Sequence, residues 1–186
     1  MNRVFLMPTA RLNRIFLVSL CNRRYDGHLM ALSSGSLAPN LVLKQKTASG
    51  LQEVRLADHF GKDPIVLLFF PLAFTGGCTQ EMCAVTNDFA AYQELGAKVY
   101  AISVDSPFAQ EAWAEKNNIK VPLLSDFNRE AIQAYEVVCE DLVGLKNVAH
   151  RSAFVINCEG VIVYSWVAPE PKVLPNFDAV KKALEV

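Results

Sequence analysis

"DPIVLLFFPLAFTGGCTQEMC", residues 63–83, decides the fold. Its apolar run, residues 65–70, has strand length and no polar interruption, which suits a strand covered on both faces. Pro71 ends the run, because proline donates no ladder hydrogen bond. Gly76 and Gly77 then let the backbone turn sharply. "TQEMCAVTNDFAAYQELGA" reads as the helix that follows. Met82, Val85, Phe89 and Tyr92 recur at three- and four-residue steps, and Gly96 supplies a stop. Strand, turn and helix put Cys78 in the first helical turn.

Outward from this unit the pattern repeats. "KVYAISVD" is a second buried strand. "SPFAQEAWAEKNN" is a helix with Ser106 as N-cap and Pro107 at its first position. "VPLLSD" is a short strand, "NREAIQAYEV" a helix, and "SAFVIN-CEG-VIVYSWV" a hairpin. "NFDAVKKALEV" closes the chain as a helix. On the other side, "LVLKQKTASGLQEVRLADHF" holds two strand-like pieces around the turn signal "TASG". Parallel crossovers first and an antiparallel pair last predict an α/β chain. The expected architecture is a thioredoxin-like fold, a central mixed β-sheet flanked by helices.

The 186 residues, 52% hydrophobic and 20% charged, are enough for one domain with a covered core. A net charge of −1 offers no basic field for nucleic acid. No apolar run reaches the ~18–20 residues of a membrane span. The five cysteines, Cys21, Cys78, Cys83, Cys139 and Cys158, are scattered and odd in number, unlike a secreted disulfide framework. A reducing, cytoplasmic setting is expected. The first 25 residues carry Arg3, Arg11, Arg14, Arg23 and Arg24, with no acid. Such a start fits an organelle-targeting or exported segment only poorly, because serine is scarce and the apolar patch "IFLVSLC" is short. Residues 1–29 are therefore read as an N-terminal extension, and residues 30–186 as the folded domain.

A thiol at a helix start meets unpaired N–H groups and the positive end of the dipole. That setting favours the thiolate, which is the nucleophile. Thr75, three residues earlier, has a hydroxyl that can donate to the thiolate or accept from an incoming hydroxyl group. A peroxide needs both kinds of partner. Its leaving oxygen gathers charge as the O–O bond breaks, so fixed donors there would supply the catalysis. Backbone N–H groups near Gly77 and Cys78, or an arginine, are the available donors.

Pro71, Thr75 and Cys78 stand at the spacing P-x-x-x-T-x-x-C, and the chain here resembles the peroxiredoxins, thiol peroxidases built on the thioredoxin fold. "HRSAFVIN" places Arg151 where that family has an arginine before a late strand. "APNLVL" and "VPLLSD" are similar to the family as well, so the resemblance runs from about Met30 to the C-terminus. "LLFFPLAFTGGC" and "PLLSDF" look like the alkyl-hydroperoxide-reductase E-type subgroup. "CTQEMC" resembles the bacterioferritin-comigratory (Q-type) group, whose second cysteine lies five residues on. The resemblance implies that Cys78 is oxidised by peroxide to a sulfenic acid, that Thr75 and Arg151 orient the peroxide and hold the thiolate, and that Pro71 shields the sulfur. It implies no metal, flavin or haem cofactor. Its implied partners are hydrogen peroxide or organic hydroperoxides, and thioredoxin, glutaredoxin or a low-molecular-weight thiol as reductant. A homodimer is compatible with it.

Cys83 has two readings. It is either the thiol that resolves the sulfenic acid or a small helix-face residue, with resolution left to an external thiol. Five residues on an intact helix are ~7.5 Å of rise and ~140° of rotation. That is beyond the ~7 Å Cα separation a disulfide tolerates. A resolving Cys83 therefore requires the first helical turn to unwind. Cys139, expected at a helix end, and Cys158, expected in the hairpin turn, carry no motif. Glu81 either bonds the loop or a neighbouring arginine or is an exposed first-turn acid. His150 is read as structural, and His28 and His59 as unconnected to any zinc site. Leu72 and Phe74 are expected to give the pocket an apolar wall. A competing function is a peroxide-responsive redox sensor or holdase using the same cysteine. A dithiol–disulfide oxidoreductase is disfavoured, since C-x4-C is not C-x-x-C.

Overall fold

The structure is a computed structural model that describes residues 31–185; the expected extension, residues 1–29, lies outside the described residues. A first hairpin pairs β1 (Val42–Thr47) with β2 (Gly50–Arg55). A 3-10 turn at Leu56–His59 leads into β3 (Ile65–Phe69), all five of whose residues are buried. Then come α1 (Gly76–Asn87), α2 (Phe89–Glu94), β4 (Lys98–Ser103), α3 (Pro107–Asn117) and β5 (Leu123–Ser125). The second half holds α4 (Glu130–Ala134), β6 (Val138–Leu142), β7 (Leu145–Ala149), β8 (Ser152–Ile156), β9 (Ile162–Val167) and α5 (Phe177–Lys182).

Seven strands form one sheet in the order β2-β1-β5-β4-β3-β8-β9. β3 runs parallel to β4, and β4 to β5, whereas the β1, β8 and β9 pairings are antiparallel. This is the mixed sheet flanked by helices that the element order predicts. The period of two along β3 divides the core. Ile65, Leu67 and Phe69 pack on one face with Ile102, Tyr135 and Phe154. Val66, Leu68 and Phe70 pack on the other with Cys78, Met82, Val85 and Trp113. No helix among the described residues is long and apolar enough to cross a membrane.

Two local expectations need correction. The segment after Cys78 is two helices rather than one, interrupted at Asp88 (φ −93, ψ 4). The helix expected over residues 128–137 is only α4, and the β6–β7 hairpin follows it. Glu136 adopts φ 57, in the left-handed region, which ends the helix. Val137 and Val138 are β-branched and favour a strand. The turn that returns the chain has Val143 at φ 49 and Gly144 at φ 90, the positive angles of a tight two-residue hairpin. Cys139 therefore sits on β6 instead of at a helix end.

The sheet order positions the site. Parallel β3 and β4 end at the same edge, where open α/β sheets place their functional groups. Phe69 pairs with Ser152, so Arg151 enters alongside the turn that leaves β3.

Candidate active site

The turn from β3 into α1 is tied down residue by residue. Phe70 N–H donates to Ile102 O (3.0 Å) and Ala73 N–H to Asp105 Oδ2 (2.7 Å). Pro71 and Ala73 are buried, while Phe74 is 55% exposed. Phe74 has φ 60, a left-handed conformation uncommon for a bulky residue. Thr75 is the N-cap of α1, with extended angles of φ −93 and ψ 148. Instead of capping the helix, its hydroxyl donates to Leu72 O (2.9 Å). Cys78 is the third residue of α1, 1% exposed as a residue and packed among apolar neighbours.

Arg151 Nη2 lies 3.4 Å from Cys78 Sγ and donates to it. The guanidinium is held from its other edges. Nε donates to Pro171 O (3.3 Å), and Nη1 donates to Glu81 Oε2. Arg151 is 3% exposed and Glu81 fully buried, so this is an ion pair shielded from solvent. Glu81 follows Cys78 by three positions and projects from the same helix face. Burial pushes its carboxyl up from 4.5 to about 7, against the downward pull of Arg151. Its second oxygen, Oε1, is buried without a hydrogen-bond partner among the described residues. Gly77 borders the guanidinium, and a Cβ there would meet Arg151 Nη2 at 3.4 Å.

A second set of contacts reaches the site from α3. Trp113, fully buried, packs against Phe70 and the exposed Phe74, with ring centroids at 5.3 and 6.5 Å. Its indole N–H donates to Thr79 Oγ1 (3.2 Å), and that hydroxyl donates to Thr75 O (2.8 Å).

The structure thus brings Cys78 and Arg151 together, with Pro71 buried in the adjoining turn and Thr75 at the helix mouth. The hydroxyl of Thr75 is engaged by Leu72 O, which leaves its lone pairs to accept from a ligand. Cys83 is a half-buried free thiol on the intact α1. Cys139 belongs to the core on the opposite sheet face. Cys158 lies in the β8–β9 turn, 3.7 Å from Lys62 O. His150 and Arg151 stand between β7 and β8, and His150 N–H donates to Val137 O (2.7 Å). Glu81 takes the arginine-bonding of its two expected roles. Asp105 and the Trp113–Thr79 contact were not visible as site features in the sequence, because their partners lie 32 and 34 residues away. Chemically, the arrangement is a thiol at a helix start with a fixed cationic donor beside it.

The AhpC/TSA family model matches residues 34–165. The chain is similar to a chloroplastic 2-cysteine peroxiredoxin of Chattonella marina var. antiqua, 33% identical over 145 residues, or 74% of this chain and 72% of that protein. The fold is similar to reduced Plasmodium vivax 2-Cys peroxiredoxin, with TM-score 0.74 and 26% identity over 82% of this chain and 80% of that one. It is also similar to Mycobacterium tuberculosis AhpC, with TM-score 0.72 and 25% identity over 84% and 93% of the two chains.

Proposed function

This chain belongs to the AhpC/TSA family of peroxiredoxins, thiol-dependent peroxidases, and on that premise we propose that Cys78 is the cysteine peroxide oxidises. The observation that carries the reading is the donor contact from Arg151 Nη2 to Cys78 Sγ at 3.4 Å. A guanidinium in that position stabilises negative charge on sulfur and then on oxygen.

The thiolate attacks the hydroxyl-bearing oxygen of the peroxide. An S–O bond forms, the O–O bond breaks, and the electron pair leaves on the distal oxygen, which takes a proton to become water or an alcohol. Cys78 is left as the sulfenic acid. Arg151 donates toward the departing oxygen, Thr75 Oγ1 accepts from the peroxide hydroxyl, and the first N–H groups of α1 add their dipoles. Pro71, buried in the turn, keeps water from that side of the sulfur. No metal or organic cofactor takes part in this step.

A second thiol then attacks the sulfenic sulfur, giving a disulfide and water. Cys83 is our candidate within the chain, after the first turn of α1 opens. An external thiol (thioredoxin, glutaredoxin or a small thiol) returns Cys78 to the reduced state. Hydrogen peroxide and organic hydroperoxides are the substrates, with the exposed Phe74 as an apolar wall suited to the organic ones. The catalytic unit is residues 30–186, working in a reducing compartment.

The test is single-turnover peroxide reduction by the reduced protein. Wild type should consume one peroxide per chain rapidly, and Cys78→Ser should not. Rapid consumption by Cys78→Ser would refute the assignment.

A further inference from the structure

One side chain outside the motif, that of Asp105, is tied to the turn that leaves β3. Ala73, midway between Pro71 and Thr75, is 8% exposed. A backbone N–H that buried needs a partner. It finds one in a carboxylate oxygen, Asp105 Oδ2, at 2.7 Å. Asp105 follows β4, the parallel neighbour of β3, so the two strand ends deliver acceptor and donor to the same edge. The carboxylate is itself held. Ser103 Oγ donates to the same Oδ2 (2.7 Å) and accepts from the buried Gln110 Nε2 (2.9 Å). The second Gln110 Nε2 bond goes to Leu124 O (3.0 Å). Ser125 Oγ grips the Asp105 carbonyl at 2.7 Å. Four residues on three elements thus aim one oxygen at one N–H of the turn.

We propose that Asp105 is a positioning residue of the peroxidase site. It holds the 71–75 turn so that Thr75 Oγ1 and the start of α1 meet the peroxide at the Cys78 sulfur. The turn needs such an anchor. Phe74 stands at φ 60, a conformation that persists only where surroundings over-determine it. A hydrogen bond to a carboxylate is about twice as strong as one between neutral groups. Without the acceptor, the Ala73 N–H is left buried and unpaired, and the turn shifts to hydrate it. A displacement of about 1 Å at a reacting group costs on the order of a hundredfold in rate. Asp105 does not touch the sulfur, so intrinsic thiol reactivity stays.

The inference rests on Cys78 being the peroxide-oxidised cysteine, and the experiment separates the two. The reduced full-length chain, with Cys78→Ser, Asp105→Ala, Asp105→Asn and Ser103→Ala variants, is followed in single-turnover oxidation by hydrogen peroxide. Each is also alkylated with iodoacetamide, whose carbon the same sulfur attacks, displacing iodide, without needing the turn, and the reaction is read at Cys78 by peptide mass spectrometry. Asp105→Ala should slow peroxide oxidation about tenfold or more with alkylation unchanged or faster. Asp105→Asn keeps an acceptor oxygen and should stay within about threefold of wild type. Ser103→Ala, a mild change that still folds if Asp105→Ala does not, should lower the peroxide-to-alkylation ratio by about threefold. The proposal is overturned if Asp105→Ala matches wild type with peroxide, if both reactions slow together, if Asp105→Asn is as impaired as Asp105→Ala, or if the Ser103→Ala ratio does not move. Peroxide oxidation that persists in Cys78→Ser removes the underlying reading instead.

Discussion

Glu81 and Arg151, 70 residues apart, meet as an ion pair buried from solvent, with Nη2 of the same guanidinium on Cys78 Sγ. The pair joins the first turns of α1 to the chain entering β8. One guanidinium serves the carboxyl through Nη1 and the sulfur through Nη2, and burial raises the Glu81 carboxyl to about 7.

That shift sets a pH dependence of stability. A carboxyl whose folded value lies above its unfolded value binds protons more tightly when folded. Its contribution is fully present below about pH 4.5 and is lost as pH rises through about 7. Glu81→Gln should flatten this fall, which urea unfolding between pH 4 and 8 measures. A variant with the wild-type slope would contradict the raised carboxyl. Glu81→Ala should cost more, about 3–5 kcal/mol, because it strands a buried guanidinium.

Arg151→Ala removes the donor at the sulfur. Peroxide oxidation of Cys78 should slow by about a hundredfold, the typical cost of one preorganised donor. Arg151→Lys keeps the charge but not the fork that reaches Glu81 and Cys78 together, so it should recover little. Stopped-flow oxidation at fixed peroxide measures both, and an undiminished rate in Arg151→Ala would remove the residue from the site.

Gly77 tests the packing around the same guanidinium. A Cβ at 3.4 Å from Nη2 is ordinary contact, so Gly77→Ala should keep peroxide oxidation within about threefold of wild type. Gly77→Val adds two methyl groups against a buried side chain and should displace it, at about 1–3 kcal/mol of stability and a larger loss of rate. Equal rates for the two variants would show that the guanidinium has room to move.

Cys83 tests the resolving step. On the intact α1 its thiol cannot bridge to Cys78. If it resolves the sulfenic acid, peroxide-treated protein should carry a Cys78–Cys83 disulfide, and hydrogen exchange at residues 76–80 should rise. Cys83→Ser should then drive Cys78 on to sulfinic acid, read by mass spectrometry. A disulfide trapped with that turn still protected would exclude the unwinding.

Much of the molecule is legible in the sequence because it depends on local patterns. Residues 65–69 read as a strand from apolarity alone, and Ser106 with Pro107 marked the start of α3, where Ser106 Oγ accepts from Ala109 N (3.2 Å). The β6–β7 hairpin was not legible. "EVVCEDLVGLKNVAH" carries mixed helix and strand signals, and tertiary pairing decided between them.

By itself, the sequence determined the α/β order and the helix start beside Thr75 and Cys78, which follow from spacing and backbone chemistry within a few residues. Arg151 was marked only by the resemblance to the peroxiredoxins. Only the tertiary structure decided that Glu81 is buried against Arg151 and that Asp105 holds Ala73 N–H. Burial and hydrogen-bond partnership depend on which distant segments the sheet order brings to one edge, and no local pattern encodes that.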